Sequence, residues 1–333
     1  MSHPFQRRMT SPASTARHLP RELDFIALVG PTASGKSALA MALALTCGAE
    51  IVSCDSQHVY RRLDIGTAKP SREDRQRVPH HLVDIRDPDE QLSAGEFARL
   101  ADAAIADIQG RGRSAIVVGG TGLWLRALIF GMIEVPDAPA ELRARLSDEL
   151  EVCGKAAMFE RLRAIDPEAA ERVDPGNAAR VLRALELFEL TGERPSELWK
   201  RHAFSTPRYR ARVFGLNPPR DALYRRVDER AARMFAGGIL DEARGLDRDG
   251  LSRAAAVQRA IGYPQAMAHL WGEIPLDEAI ARTAQATRRY AKRQWTWFRA
   301  QKNVEWLDSW DLDGAREEIW QRLTREPDGL PHL

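Results

Sequence analysis

The first residues with the types and spacing to do chemistry form a phosphate loop at positions 30–37. They match the pattern G-x-x-x-x-G-K-[ST], between an apolar run at 25–29 and an alanine- and leucine-rich run typical of a helix. In such a loop the backbone N–H groups surround phosphate oxygens, the lysine reaches a terminal phosphate and the serine hydroxyl coordinates Mg²⁺. We predict diphosphate or triphosphate binding, with Ser37 as the metal ligand. The predicted diphosphate-binding residues are Gly30, Pro31, Thr32, Ala33, Ser34, Gly35, Lys36 and Ser37.

Two further polar residues follow the next two apolar runs. Asp55 ends the run at 50–55 and is a candidate general base, although a cap or turn aspartate is the alternative. Thr121 follows Gly119-Gly120 after the run at 114–118, where many phosphate-loop hydrolases place a magnesium-organising aspartate. The absence of such an aspartate here counts against nucleotide hydrolysis. A hydroxyl at this point can bond to a nucleophile or a phosphate, or simply cap a helix.

A basic and aromatic segment near the end of the chain is the next strong feature. Residues 281–303 contain seven basic and no acidic residues, interleaved with Trp295, Trp297 and Phe298. Basic side chains contact phosphates and aromatic rings stack on unpaired bases, which favours RNA binding. A solvated amphipathic helix with tryptophans in the core is equally compatible with the pattern. The basic residues are Arg282, Arg288, Arg289, Lys292, Arg293, Arg299 and Lys302.

Weaker pairs of charged residues allow two interpretations each. Arg180 and Arg183 lie one turn apart on a predicted helix, as do Arg226 and Arg230, and each pair either meets phosphate or forms surface ion pairs. His80-His81 with nearby aspartates does not predict a metal site, because no second cluster has matching ligand spacing.

The elements that must position these residues alternate between strands and helices. The strands at 25–29, 50–55 and 114–118 are apolar throughout, which predicts a parallel sheet covered on both faces. The phosphate loop, Asp55 and Thr121 then lie together at the carboxyl ends of the strands. Residues 140–199 contain only helical patterns, at 141–153, 156–165 and 178–190. Residues 209–216 predict a strand that returns to the sheet, followed by helices at 221–236 and 276–302.

We therefore predict an α/β fold: a P-loop-containing parallel sheet with helices on both faces, plus an all-helical insertion domain. The expected boundaries are a disordered N-terminal extension at 1–23, a catalytic core at 24–136 and 205–312, an insertion that contacts RNA at 137–204, and a C-terminal tail at 313–333. The first 23 residues faintly resemble a transit peptide, but a disordered extension is the favoured interpretation.

Composition limits the class of protein. The chain has 333 residues, 44% of them hydrophobic, and a net charge of only +2. Cys47, Cys54 and Cys153 lack metal-type spacing and fit a reducing cytoplasm. No apolar run approaches the ~20 residues that cross a bilayer. We expect a cytoplasmic protein without membrane association, and a monomer.

Assembled, these segments resemble the bacterial-type tRNA dimethylallyltransferases (tRNA isopentenyltransferases), from about residue 26 to residue 306. The phosphate loop is generic. Far more specific are Asp-Ile-Gly-Thr-Ala-Lys-Pro at 64–70 and Lys-Arg-Gln-Trp-Thr-Trp at 292–297. The other resembling segments are 53–60, 78–85, 119–123, 177–186 and 259–263.

The resemblance implies transfer of a dimethylallyl group from dimethylallyl diphosphate to N6 of the adenosine 3′-adjacent to certain tRNA anticodons. Asp55 would take the N6 proton. The phosphate loop, Mg²⁺ and Arg230 would stabilise the departing pyrophosphate, and Thr121 would position the nucleophile or the diphosphate. The partners implied are the tRNA anticodon stem-loop and dimethylallyl diphosphate, and the target base must leave its stack.

The resemblance also assigns tRNA contacts. They are Asp55, Ser56, Gln57, His58, Trp124, Ala179, Arg180, Val181, Leu182, Arg183, Arg259, Ala260, Ile261, Gly262, Tyr263, Pro264, Lys292, Arg293, Gln294, Trp295, Thr296, Trp297, Phe298 and Arg299. Three depart from the family pattern: Trp124 stands where tyrosine is usual, His58 where glutamine is frequent, and Pro264 where a polar residue is common.

Three other functions remain to be distinguished. A nucleotide or metabolite kinase shares the sheet and loop, but gives no reason for the basic and aromatic helix. An adenylate isopentenyltransferase uses the same donor with free AMP or ADP, but does not need the helical insertion. A non-catalytic RNA-binding protein would not need Lys36, Ser37 and Asp55 together.

Overall fold

The computed structural model describes residues 17–133, 135, 138–202, 204 and 206–325. These residues form two compact units. The first contains the described residues up to Ile129 and from Tyr209 onward, and the second runs from Phe130 to Arg208. The sequence patterns predict an insertion at 137–204, so the second unit begins seven residues earlier and ends four residues later than that.

The first unit is built on a six-stranded parallel sheet, which confirms the predicted fold class. The strand order is β3-β2-β4-β1-β5-β6, and each neighbouring pair is parallel. Central strand β1 is fully buried, and its Phe25 pairs with Ala115 on one side and Ala211 on the other. The strands are β1 Phe25–Val29, β2 Glu50–Ser53, β3 His80–His81, β4 Ala115–Val118, β5 Ala211–Gly215 and β6 Val304–Trp306.

Helices flank the sheet, and their ends follow local sequence signals. The Ser93 hydroxyl caps α3 by accepting a hydrogen bond from the Glu96 N–H at 3.1 Å. The Glu96 carboxylate pairs with Arg86 instead of completing a capping box. The helices of this unit are α1 Lys36–Cys47, α2 Arg72–Arg77, α3 Ala94–Gly110, α4 Gly122–Phe130, α9 Arg220–Ala236, α10 Ile239–Arg248, α11 Ala255–Arg259, α12 Tyr263–Leu270, α13 Leu276–Arg299 and α14 Leu312–Thr324; α4 ends one residue beyond Ile129.

The second unit is helical throughout its described residues. It contains α5 Ala140–Ile165, α6 Pro167–Arg172, α7 Ala178–Thr191 and α8 Pro195–His202. Gly154 leaves the helical region inside α5 with φ 78°, which agrees with the two separate helices predicted there. A hydrophobic core of its own joins α5, α6 and α7 through residues such as Leu162, Ala170 and Leu185.

The structure differs from the expected extension and tail at both ends of the first unit. Leu19 is buried in the same core as α1 and α14, and Arg17 pairs with Glu317 at 2.9 Å. Residues 312–324 form α14 because their apolar side chains recur at helical spacing, including Ala315, Ile319 and Leu323. The expectations for residues 1–16 and 326–333 lie outside the described residues.

No helix in the described part of the chain is long and apolar enough to span a lipid bilayer.

Packing of α14 predicts a stability effect. Ile319 is fully buried, so Ile319→Ala should lower the free energy of unfolding by about 2–5 kcal/mol through lost burial and a residual cavity. Urea unfolding followed by circular dichroism measures the change. Gln321→Ala, at an exposed position of the same helix, is the matched control and should change the free energy by less than about 0.5 kcal/mol. Equal unfolding midpoints for the two variants would contradict this packing.

Candidate active site

A cavity of about 510 Å³ opens at the carboxyl edge of the sheet, where the phosphate loop, Asp55 and Gly119 meet. Its walls come from the loops after β1, β2 and β4, from one face of α9 and from the start of α14. The polar and aromatic residues that line it include Thr32, Lys36, Ser37, Asp55, His58, Arg226, Arg230, Arg233 and Trp310. The cavity therefore lies at the edge of the sheet that the strand pattern predicts.

The phosphate loop adopts a shape that requires glycine at two positions. Gly30 has φ 136°, and a Cβ there would lie 2.7 Å from the Leu216 carbonyl oxygen. Gly35 has φ 101° and is the N-cap of α1. The Lys36 Nζ donates to the Pro31 carbonyl at 2.9 Å, which holds the ammonium against the loop. The first N–H groups of α1 have no partner within the helix, so they are available to an anion.

Four basic side chains give this cavity a cationic wall. Arg226, Arg230 and Arg233 lie at spacings of four and three on α9, so they project from one face beside Lys36. Burial lowers the pKa of Lys36 to about 8, with Asp55 opposing this shift and Arg230 adding to it. Burial likewise lowers the pKa of Arg230. Desolvated cations around one carboxylate favour a polyanionic ligand.

Asp55 lies at the end of β2 and is held in place by its own loop. Its Oδ1 accepts a hydrogen bond from the Gln57 N–H at 2.9 Å. Burial acts to raise the pKa of Asp55, but His58, the Gln57 N–H, Lys36 and Arg230 together hold the pKa below its usual value. The carboxylate is therefore ionised at neutral pH and able to accept a proton.

A smaller cavity of about 190 Å³ shares Thr32, Asp55, Thr67 and Arg230 with the larger one. Tyr290 lines it, and burial followed by the charge of Asp55 raises the pKa of that tyrosine. The other lining residues are Ser56, Gln57, Gly66, Met234, Arg259, Ala260, Ile261, Thr287 and Arg293. The Asp55 carboxylate thus lies where the larger cavity, with its basic side chains, meets a smaller cavity with both polar and apolar lining.

Thr121 supports the loop that carries Asp55. Its Oγ1 accepts a hydrogen bond from the Ser56 N–H at 3.0 Å, and its own N–H donates to the Cys54 carbonyl at 3.3 Å. Just before it, Gly119 lies against the Cys54 backbone and Gly120 lies against the Gln294 side chain. A side chain at either glycine would collide with these atoms. Thr121 therefore positions the Asp55 loop from the end of β4.

Hydrogen bonds to partly or fully buried polar groups hold the segment at 64–70 in place. The side chain of Lys69 is 1% exposed and donates to the Tyr60 carbonyl at 2.6 Å and to the Asp84 carboxylate at 2.7 Å. The Tyr263 hydroxyl donates to Glu242 at 2.6 Å, and the same carboxylate accepts the Ile65 N–H at 3.0 Å. These contacts place Thr67 in both cavities.

His58, one departure from the family pattern, is used within this framework. Its Nδ1 lies 3.3 Å from the Ser53 hydroxyl and its Nε2 lies 3.2 Å from the Thr67 carbonyl. The imidazole thereby joins the end of β2 to the segment at 64–70.

The residues predicted to contact tRNA on α13 fall into two groups. Gln294, Trp295 and Phe298 are buried, and Trp297 packs against Gly122, so these side chains contact the protein interior. Lys292, Arg293, Thr296 and Arg299 are exposed. Trp295 is therefore a core tryptophan, as one of the two interpretations of this segment predicts. RNA binding stays a prediction for the exposed basic residues.

The other predicted tRNA contacts divide in the same way. Trp124 is buried and stacked on Phe97 with ring centroids 4.4 Å apart, so its lost hydroxyl concerns the core. Ala260 and Tyr263 are also buried, whereas Arg259 is exposed. Pro264 occupies the first turn of α12, where its missing N–H leaves no helix bond unmade.

On α7 of the second unit, Arg180 and Arg183 are exposed and Val181 is buried. Arg183 pairs with Glu186 at 2.5 Å, the ion pair that the sequence offers as an alternative.

Several site residues were missed from the sequence. Arg233 lies three residues after the predicted site residue Arg230 on α9, and Tyr290 lies four residues before the predicted site residue Gln294 on α13. Residues at these spacings share a helix face, so helical periodicity could have identified both. Trp310 lies between β6 and α14 and stacks against Arg226 at 4.8 Å. No sequence pattern connects Trp310 to α9.

Comparison with known proteins bears on the resemblance. A family model described as "IPP transferase" matches residues 58–301. The tRNA dimethylallyltransferase of Anaeromyxobacter sp. strain Fw109-5 is 51% identical over 282 residues, covering 85% of this chain and 93% of the relative. That of Myxococcus xanthus is 50% identical, covering 84% and 91%.

Solved structures agree with these relatives. The full-length tRNA isopentenylpyrophosphate transferase of Bacillus halodurans aligns with a TM-score of 0.65 and 39% identity, covering 91% of this chain and 96% of that one. A eukaryotic dimethylallyltransferase acting on tRNA aligns with a TM-score of 0.78 and 29% identity, covering 90% and 77%. Since the family model matches more than half of the sequence and the relatives are about half identical over most of its length, the chain belongs to the tRNA dimethylallyltransferase (IPP transferase) family.

Proposed function

We propose that the protein transfers the dimethylallyl group of dimethylallyl diphosphate to N6 of the adenosine 3′-adjacent to the anticodon of tRNA, giving N6-isopentenyladenosine and pyrophosphate. The meeting of the two cavities at Asp55 carries this proposal. The larger, cationic cavity suits the diphosphate of the donor. The smaller one, with Tyr290 and Arg293, suits a base that has left its stack.

The cationic wall serves the leaving group. Lys36, Arg226 and Arg230 face the larger cavity, and charge develops on the pyrophosphate oxygens as the allylic carbon–oxygen bond breaks. Cations already fixed by burial and by hydrogen bonds stabilise that charge without reorganising.

Mg²⁺ is the proposed cofactor, with Ser37 as its protein ligand. The Ser37 residue is exposed in the larger cavity, and the described residues contain no group of three or more His, Cys, Asp or Glu that could hold a metal ion. One hydroxyl fits Mg²⁺, because this ion keeps several waters and takes other ligands from substrate phosphates. When bound it would add positive charge beside the departing pyrophosphate.

The chemical step is a substitution at the allylic carbon. The carbon–oxygen bond breaks and its electron pair leaves with pyrophosphate. The N6 lone pair forms the new carbon–nitrogen bond, and the proton that N6 loses passes to the Asp55 carboxylate. Thr121 contributes by holding the Ser56 N–H, and so the loop that carries Asp55.

The proposed RNA surface consists of exposed cations near the smaller cavity. Arg259, Lys292 and Arg293 are exposed, and no described residue forms an ion pair with any of them. Basic groups without an acidic partner favour contact with phosphates. Arg180 on α7, with Ala179 and Leu182, is proposed as a further contact of the second unit.

The function is tested by incubating the protein with Mg²⁺ and labelled dimethylallyl diphosphate, with total tRNA or AMP as acceptor. We expect label in tRNA and none in AMP. Label in AMP alone would replace this proposal with an adenylate isopentenyltransferase. ATP turnover with no transfer to either acceptor would replace it with a kinase.

Asp55→Asn tests the general base. The amide keeps the size of the side chain but cannot accept the N6 proton, so transfer should fall by about 10²–10⁴ while the Kd for tRNA stays within about twofold. Single-turnover transfer and filter binding measure the two quantities. Asp89→Asn, at an exposed position, is the control. Near-normal turnover by Asp55→Asn would remove the base assignment.

The pKa of Lys36 near 8 predicts a pH dependence for diphosphate binding. The side chain is cationic below that pH and neutral above it, so pyrophosphate affinity should fall by about tenfold between about pH 7 and about pH 9. Lys36→Arg keeps its charge across this range. Calorimetry measures the pyrophosphate affinity of the wild-type and Lys36→Arg proteins at each pH. The ionisation of pyrophosphate affects both affinities equally, so it drops out of their ratio. A ratio independent of pH would contradict the lowered pKa.

A further inference from the structure

Gln294 joins the two loops on which the proposed function rests. It lies in the last two turns of α13 and is 5% exposed. Its Oε1 accepts a hydrogen bond from the Thr32 N–H in the phosphate loop at 2.7 Å, and its Nε2 donates to the Gly120 carbonyl at 3.0 Å. One amide thus spans from the loop after β1 to the loop after β4, and both of its polar ends have partners.

Gly120 is shaped to receive this amide. A Cβ at position 120 would lie 2.0 Å from the Gln294 Nε2, and the three nearest atoms to that point, apart from those of residues 119 and 121, all belong to the Gln294 side chain. The absence of a side chain at 120 therefore serves the contact with Gln294 in particular.

The position of Gln294 on α13 argues against direct contact with RNA. Lys292 and Arg293 precede it on the exposed face, whereas Gln294 turns into the protein with Ala291 and Trp295. Thr32, which it holds, lines both cavities. A fixed Thr32 N–H sets the course of the phosphate loop where the donor and the acceptor base would meet.

We propose that Gln294 is a positioning residue that sets the phosphate loop against the loop at 119–121, so that it governs affinity for the diphosphate donor and not for tRNA. This inference rests on the proposed function for the identity of the donor. The family resemblance places Gln294 among the tRNA contacts, whereas its hydrogen bonds to Thr32 and Gly120 favour a role at the donor site.

The first test separates affinity for the donor from affinity for RNA. Gln294→Ala removes both hydrogen bonds, and we expect the dissociation constant of inorganic pyrophosphate and the KM of dimethylallyl diphosphate to rise about tenfold. The Kd for tRNA should stay within about twofold. Lys292→Ala should do the reverse, with weaker tRNA binding and an unchanged KM for the donor. Gln285→Ala, an exposed glutamine of the same helix, should change neither constant.

Two further variants separate positioning from loss of folding. Gln294→Glu has nearly the same shape and keeps the acceptor for Thr32, but it directs an oxygen at the Gly120 carbonyl, so the donor KM should rise. The Kd of this variant for tRNA should stay within about twofold, which shows that the protein is folded. Gly120→Ala should raise the donor KM by displacing the amide. In the Gln294→Ala background the amide that the added methyl would strike is gone, so the double variant should be no worse than Gln294→Ala alone.

Three outcomes would overturn the inference. They are loss of tRNA affinity with an unchanged donor KM in Gln294→Ala, unchanged pyrophosphate binding in that variant, and multiplicative effects of the two substitutions in the double variant. Failure of the wild-type protein to bind pyrophosphate would instead remove the proposed function, because that measurement does not depend on Gln294.

Discussion

The site depends on close approach of backbone segments that only glycine allows. A side chain at Gly30 would collide with Leu216, one at Gly119 with Cys54, and one at Gly122 with Trp297. These contacts bring the ends of β1, β2, β4 and β5 together and dock α13 against them. Interiors are close-packed, so a single added methyl group at such a point displaces a whole loop. The distances between reacting groups are therefore set by packing before any ligand is present.

The buried charges are tolerable because they balance. Burial lowers the pKa of both Lys36 and Arg230, and the charge of Asp55 beside them opposes that shift. Asp55 in turn stays ionised because of these two cations and His58. Arg226 and Arg233 add further positive charge to the cavity, although Arg233 also pairs with Glu229 at 3.8 Å, and the proposed diphosphate ligand would balance it.

The sequence predicted those parts of the fold that depend on local patterns. The phosphate loop, Asp55 and Thr121 follow buried strands, so the rule for parallel sheets brings them to one edge, and the structure places them there. β3 and β6 have only two and three residues, too short for any periodicity to be seen. The sequence could not show which residues of α13 belong to the core and which to the surface. Gln294 and Trp295 are buried by contacts with residues more than 60 positions away, such as Thr32, Gly120 and Leu223. Trp310 belongs to the cavity only through tertiary contact with α9.

The strand order also has a consequence for the order in which parts of the protein can fold during synthesis. Central strand β1 has β4 on one side and β5 on the other, and the whole unit Phe130–Arg208 is made between those two neighbours. Because chains emerge from the N-terminus and compact segments fold as units, this helical unit, continuous in sequence and with its own core, can fold while the sheet still lacks β5 and β6. The wall of the larger cavity supplied by Trp310 and Leu312 is added later still. A nascent chain therefore completes its larger cavity last. Between the synthesis of β4 and that of β5, more than 80 residues are made while the edge of β1 is unpaired.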